Sequence, residues 1–138
     1  MKRLRYVVIY AVIVFVILAG CDGNQMPITV GLGEVFTIGV GQSARIASED
    51  MEVTFIEVIG DSRCPQNVNC VWEGVASSHV KITHEGVDYS IVLNQPGLTE
   101  QTSETFINYT VTDSLNPYPR EGEEIPEKDY LLTLNVTK

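Results

Sequence analysis

The chain has 138 residues, of which 44% are apolar and 20% are charged, and its 18 acidic and nine basic residues give a formal net charge of −9. This length fits one domain and leaves no room for a second sizeable core. The apolar fraction is too high for a disordered chain. The acidic balance argues against nucleic acid as a partner, because binding to phosphate needs a basic surface.

Residues 1–20 have the pattern of an export signal. Three of the nine cations lie within the first five residues and precede an uncharged run from Tyr6 to Ala19. A basic region, a short apolar region and small residues before a cleavage point define a secretory signal peptide. A helix of roughly 14 residues is about 21 Å long, which is shorter than the ~30 Å core of a membrane. A cleaved signal is therefore favoured over an uncleaved anchor helix.

The four residues Leu18-Ala19-Gly20-Cys21 resemble the bacterial lipobox. The resemblance implies that the signal is cut before Cys21 and that the thiol and the new amine of Cys21 are acylated, for example with palmitate. Several acyl chains, at about 0.8 kcal/mol per buried methylene, make such an anchor nearly permanent. We therefore expect a lipoprotein on the outer face of the bacterial plasma membrane, with the bilayer as its partner. Asp22 makes the outer membrane a less favoured location.

The rest of the chain divides into a tether and one domain. Residues 21–33 are expected to be the lipidated cysteine and a flexible tether, because residues 22–33 contain three glycines, one proline and no regular period. Residues 34–138 alternate apolar and polar side chains between turn residues and show no helical stripe. This pattern predicts an all-β domain, an antiparallel immunoglobulin-like β-sandwich of about seven strands that follows the N-terminal signal helix. A jelly roll or a partly open barrel is the alternative.

Several local features of this domain can be predicted. The apolar phase changes between Phe55 and Ile56, which indicates a β-bulge or a crossing between sheets. Glu85-Gly86 separates two alternating runs, which predicts a hairpin turn. Two long polar loops are expected, at Asn94 to Thr105 and at Asn116 to Asp129.

Cys64 and Cys70 are expected to form a disulfide bond. If Cys21 carries lipid, these are the two remaining cysteines of an exported chain, where thiols become oxidised. A redox centre with five intervening residues and a zinc site are the weaker alternatives, since redox motifs have two intervening residues and zinc needs four ligands. We therefore predict a structural disulfide and no metal site.

Three residues are candidates for binding: Trp72 and Arg63, which are close to the cysteines in sequence, and Tyr118 in the loop after Asn116. Trp72 is expected to pack over the disulfide as part of the core, and an exposed Trp72 would instead be a binding anchor. Arg63, flanked by Asp61 and Glu73, is expected to form an ion-pair cluster that stabilises the loop.

The segment Asp-Ser-Arg-Cys-Pro at 61–65, which closes on Cys-Val-Trp-Glu-Gly at 70–74, resembles a family of uncharacterised small bacterial lipoproteins. Further similarities are the strand residues 55–58, Asn-Pro-Tyr-Pro at 116–119 and the final strand at 129–136. The resemblance covers about residues 34–138 and implies a lipid-anchored β domain. It implies no activity.

No motif for catalysis or for a cofactor occurs in the sequence. His79 beside Ser77, and His84, lack the context of a nucleophile elbow, and there is no phosphate loop or dinucleotide motif. We therefore expect no catalytic residues and no cofactor, and predict a non-enzymatic binding or adaptor module for an envelope or secreted protein. The alternatives are an envelope domain that binds a small ligand or a cation, and a protein similar to protease inhibitors.

Overall fold

The computed structural model describes residues 26–138, so the predicted signal helix and the lipidated Cys21 lie outside the described residues. This part of the chain forms nine strands and one short 3₁₀ turn at Glu127–Asp129. The strands are β1 (Ile28–Val30), β2 (Val35–Gly39), β3 (Ser43–Ile46), β4 (Met51–Asp61), β5 (Val75–His84), β6 (Val87–Pro96), β7 (Thr102–Phe106), β8 (Tyr109–Asn116) and β9 (Leu131–Thr137).

The strands form two packed sheets. One has five strands in the order β1-β3-β4-β5-β6, and the other has four in the order β2-β9-β8-β7. All pairs of neighbouring strands are antiparallel except β1 and β3, which are parallel. The prediction of an all-β sandwich is confirmed, with nine strands in place of about seven.

The sandwich begins earlier in the chain than predicted. Ile28 to Val30 pair with Ala44 to Ile46, and Val30 is buried in the core. The boundary at residue 34 is therefore wrong, because all three residues have β-branched side chains that fit a strand and Val30 fills a core position. Within the described residues, the expected tether shrinks to Met26 and Pro27.

The core lies between the two sheets and consists of the inward-facing residues of both. The alternation in β5 places Ala76, Val80 and Ile82 in the core, where they face residues of β8 and β9 such as Leu115 and Leu132. Such period-2 burial is what a sheet with one solvated face requires.

The predicted bulge and the predicted hairpin are both confirmed. The register of β4 against β5 shifts between Phe55 and Glu57, where the apolar phase changes in the sequence. Glu85 and Gly86 connect β5 to β6 with φ angles of 51° and 76°, as a two-residue type I′ turn requires.

The two long loops differ from each other. β6 continues to Pro96 and β7 begins at Thr102, so the loop predicted at Asn94 to Thr105 is only residues 97–101. The prediction was wrong because the polar residues at its start still alternate: Asn94 faces solvent, whereas Gln95 is buried. The loop after Asn116 is long, as expected, and begins with a cis peptide bond between Asn116 and Pro117.

In residues 26–138, no helix is long and apolar enough to cross a membrane.

Candidate binding site at the disulfide end

β4, β5, β6 and β8 meet a set of loops at one end of the sandwich, which we call the disulfide end (residues 62–74, 97–101 and 116–120). Cys64 and Cys70 form a disulfide bond there, with an S–S distance of 2.08 Å and a Cα–Cα distance of 5.9 Å. The predicted disulfide is confirmed. It closes the connection between β4 and β5, and the amide of Cys64 donates a hydrogen bond of 2.8 Å to the carbonyl oxygen of Glu73.

Arg63 is the centre of this end. Its side chain is fully buried and lies 2.6 Å, from Nη2 to Oδ2, from the carboxylate of Asp61. The guanidinium also donates to the carbonyl oxygens of Leu115 at 2.8 Å and Pro117 at 3.1 Å. It therefore connects β4, β8 and the loop after β8, and every such contact is charge-assisted.

This geometry corrects the prediction for Arg63 in two respects. The expected ion pair with Asp61 is present, but the part of Glu73 that helps to close the loop is its carbonyl oxygen, which bonds the amide of Cys64. Because the guanidinium has no exposed surface, Arg63 is unsuited to contact a partner directly. Its role is to position the loops.

The buried ion pair shifts the pKa of the groups around it. Burial alone would raise the pKa of Asp61, but the hydrogen bonds from the side chain and the backbone of Arg63 outweigh burial and lower that pKa. The hydroxyl of Tyr130 donates to Asp61 at 3.1 Å, and burial together with the charge of Asp61 raises the pKa of Tyr130 to about 12. Asp61 is therefore ionised and Tyr130 is neutral at physiological pH.

Tyr118 covers the other side of Arg63. The ring centroid of Tyr118 lies 4.7 Å from Cζ of Arg63, which is a cation–π contact. Its hydroxyl accepts a hydrogen bond of 3.2 Å from the amide of Leu98. Tyr118 thus connects the loop after β8 to the loop after β6.

Two glycines allow the loops to approach closely. A Cβ atom on Gly74, which has a φ of +70°, would lie 1.8 Å from the carbonyl oxygen of Ser62. A Cβ atom on Gly97 would lie 1.9 Å from the carbonyl oxygen of Glu73. The amide of Gly97 donates to the carbonyl oxygen of Gly74 at 2.9 Å, so the loops after β4 and β6 are joined backbone to backbone.

A cavity of about 570 Å³ opens between these loops. One wall is formed by the disulfide loop, including Val68, and the other by Leu98 and Tyr118, with Gln95 and Ser114 on the strands that it meets. Its volume lies within the range of about 300–1,000 Å³ that is usual for ligand sites. The predicted binding residue Tyr118 lines this cavity.

Trp72 is exposed, contrary to the prediction that it packs over the disulfide. The side chain of Trp72 is 83% exposed, and its neighbour Val71 is 90% exposed. The buried side chain in this segment is that of Arg63, whose guanidinium contacts Leu115 and Tyr118. The exposure of Trp72 is the condition under which the sequence predicts a binding anchor.

His79, which was considered as a catalytic residue from sequence, lies away from the cavity. His79 is on the outer face of the five-stranded sheet, where Nε2 is 2.7 Å from Oγ of Ser90 and Nδ1 is 3.4 Å from Oε1 of Glu57. Ser77, its neighbour in sequence, instead donates to Asn94. These polar side chains lie on an open strand face, outside the cavity at the disulfide end. Among residues 26–138, no three His, Cys, Asp or Glu side chains are grouped so that they could hold a metal ion.

Sequence reasoning missed two buried polar residues, Gln95 at the cavity and Asp113 on β8. The amide oxygen of Gln95 accepts from the amide of Leu115 at 2.8 Å. Asp113 accepts a 2.8 Å hydrogen bond from Thr102, but burial outweighs this bond and raises the pKa of Asp113 to about 6. The signal was present, since Asp113 occupies the inward phase of β8 between two apolar residues.

Comparison with known proteins gives no relative: no family model, no curated protein and no solved structure matches this chain.

Proposed function

We propose that this chain is a lipid-anchored lipoprotein of the bacterial cell envelope that acts as a non-enzymatic binding module for an envelope or secreted protein. The anchor is proposed from the lipobox-like segment that ends at Cys21. The observation that carries the binding function is the cavity of about 570 Å³ at the disulfide end.

The walls of this cavity are held in place before any partner arrives. The disulfide fixes one wall, and the ion pair of Arg63 with Asp61 fixes the backbone beneath it. Tyr118 is held by Arg63 on one side and by the amide of Leu98 on the other. A preformed site loses little conformational entropy on binding, which favours affinity for a protein segment that enters it.

The test is site-specific crosslinking in cells. A photoreactive residue replaces the exposed Gln66 at the cavity or, as a matched control, the exposed Thr110 on the outer face of the four-stranded sheet. We expect one protein adduct from position 66 and none from position 110, as identified by mass spectrometry. Val68→Arg, which places a large cation in the cavity, is expected to abolish the adduct. Equal adducts from both positions, or an adduct unaffected by Val68→Arg, would contradict the proposal.

A small-ligand function is the second candidate, and the size of the cavity favours it. Its signature is an increase in the melting temperature of the purified protein with a small molecule and without any protein partner. The same Val68→Arg variant should lose that increase.

A further inference from the structure

We propose that three exposed apolar residues of the disulfide end, Val71, Trp72 and Leu98 (together the apolar turn), contact the lipid bilayer and so provide a second membrane contact beside the acylated Cys21. The inference rests on the lipid anchor of the proposed function. It assigns the orientation of the domain, with the disulfide end at the bilayer, and therefore restricts the proposed partner to a protein that reaches the cavity at the membrane surface.

The chemistry of the apolar turn suits the interface of a membrane. Val71, Trp72 and Leu98 are 90%, 83% and 81% exposed, although each side chain is apolar or largely so. Tryptophan is enriched at the boundary between headgroups and acyl chains, because its ring has an apolar body and a polar N–H. The hydrogen bond between Gly97 and Gly74 and the disulfide hold the turn in place, so little entropy is lost when it inserts.

The direction of β1 relates this end to the anchor. β1 runs parallel to β3 and therefore antiparallel to β4, so the amino end of β1 points in the direction in which β4 reaches the disulfide end. The register of Ile28 with Ala44 and of Ala44 with Val53 places Met26 near the level of Phe55. From that level to Asp61, where β4 ends, is about 20 Å of strand.

The length of the tether then limits how far the domain can stand from the bilayer. Cys21 precedes Met26 by five residues. Five residues span at most about 18 Å when fully extended. When the strands stand upright on the membrane, the disulfide end therefore lies at or below the level of the anchor, and the apolar turn meets the bilayer.

The charges of the domain determine which side of the disulfide end lies nearest to the membrane. The apolar turn lies on connections that leave strands of the five-stranded sheet, which also contains β1, the strand nearest to Cys21 in sequence. The connection between β8 and β9 of the other sheet carries five acidic residues, Glu121, Glu123, Glu124, Glu127 and Asp129, against two basic residues, Arg120 and Lys128. Repulsion between these carboxylates and anionic headgroups lifts the four-stranded sheet and leaves the apolar turn nearest the membrane.

The test uses the fluorescence of Trp72, which is the only tryptophan in the chain. The full-length protein, processed and lipidated in a bacterium, is reconstituted into vesicles of zwitterionic phospholipid with either plain or brominated acyl chains. We expect a blue-shifted emission and a roughly twofold or greater loss of intensity in brominated lipid, because an interfacial ring lies about 5–10 Å into the bilayer. The inference would be overturned if Trp72 emits at the wavelength of a solvent-exposed ring and its intensity is the same in plain and in brominated lipid.

A matched control moves the probe to the far end of the sandwich. In a Trp72→Phe background, Val87→Trp places the fluorophore at an exposed position beside the β5–β6 turn, away from the disulfide end. This tryptophan should show no quenching, and equal quenching at both positions would also overturn the proposed orientation. The mass of the N-terminal peptide separates the two proposals. An acylated Cys21 with unquenched Trp72 refutes only the inference, whereas an unacylated Cys21 refutes the lipid anchor, and the inference with it.

Discussion

Two clusters of similar chemistry lie at opposite ends of the sandwich. Each joins a carboxylate, a cation and a tyrosine hydroxyl: Asp61, Arg63 and Tyr130 at the disulfide end, and Glu49, Lys138 and Tyr109 at the other end. The ion pair at the disulfide end is buried, with side-chain exposures of 0% for Arg63 and 5% for Asp61. The other is open to solvent, with 48% for Lys138 and 15% for Glu49.

The comparison shows that burial, and not the type of contact, decides what a cluster contributes. Lys138 bonds only the carboxylate of Glu49 and lies over the ring of Tyr109, within a single surface site. Arg63 bonds a carboxylate and two main-chain carbonyl oxygens that come from distant parts of the chain. Removing a surface partner leaves water to replace it, whereas removing the Arg63 side chain leaves the buried carboxylate of Asp61 without its cation and the buried carbonyl oxygen of Leu115 without this donor.

The largest expected effect is that of Arg63→Ala. Because the variant leaves Asp61 buried without its cation, we expect a loss of about 3–5 kcal/mol in the free energy of unfolding. Urea denaturation at pH 7 measures it. A second change, Asp61→Asn, should recover part of the loss by removing the unpaired charge. A loss as small as that of a surface ion pair would show that the buried and the exposed cluster contribute equally to stability.

The next effect concerns Asp113, a buried carboxylate that has no cation. Burial raises its pKa to about 6 in the folded state, from an ordinary value of 3.8. Ionisation therefore opposes folding, so its contribution to stability is fully favourable below pH 4 and is lost as the pH rises through 6. The total loss is about 3 kcal/mol. Asp113→Asn should remove this dependence and raise the stability at pH 7, as measured by urea midpoints across this range.

The contribution of Asp61 to stability depends on pH in the opposite direction, so the effects of Asp61 and Asp113 can be measured separately. Its folded pKa is lowered, so its contribution is present above pH 4 and is lost as the pH falls through the folded value. In the Asp113→Asn variant, stability should therefore only decrease on acidification below pH 4. A midpoint that still rises between pH 6 and pH 4 would indicate that another group is responsible.

Loss of the disulfide should have a smaller effect than loss of Arg63. A loop closed by residues 64 and 70 constrains the unfolded chain by roughly 2 kcal/mol. The double variant Cys64→Ser, Cys70→Ser is expected to lose this amount and to keep the two-sheet fold, because Arg63 still holds the loop. Circular dichroism and urea midpoints test it. A larger loss than that of Arg63→Ala would show that the disulfide stabilises this end more than the ion pair does.

The smallest effect is expected for Lys138→Ala at the exposed cluster. Its hydrogen bond lowers the pKa of Glu49, after the larger contribution of the Tyr109 hydroxyl. Because solvent screens this pair, the urea midpoint of the variant should not differ measurably from that of the unaltered protein. Added salt should not create a difference between the two midpoints. A clear loss would mean that exposed and buried clusters contribute alike.

The sequence predicted those features that depend on neighbours along the chain. The alternation of apolar and polar residues predicted a sheet with one buried face, as β5 has, and the phase change after Phe55 located the bulge. The disulfide followed from the number of cysteines in a chain that was expected to be exported. Each of these is a local pattern or a count, and needs no knowledge of the partner strand.

The errors concern residues whose environment is set by distant segments. Trp72 was expected in the core, but the buried side chain of this segment is that of Arg63, which bonds the carbonyl oxygens of Leu115 and Pro117, more than 50 residues further along the chain. β1 was read as tether, because three residues are too few to show a period and their pairing with β3 is not local. The cavity was not predicted at all, since it is formed by loops from three separate connections.

The position of β9 has a consequence for the order in which the protein can fold. β9 is an inner strand of the four-stranded sheet, and it pairs with β2, for example Asn135 with Val35, across 100 residues of sequence. If the chain is exported as proposed and crosses the membrane unfolded with its amino end first, it cannot assemble this sheet until residues 131–137 have emerged. Completion of the sandwich would then be coupled to the end of translocation, and such non-local pairing folds in milliseconds to seconds.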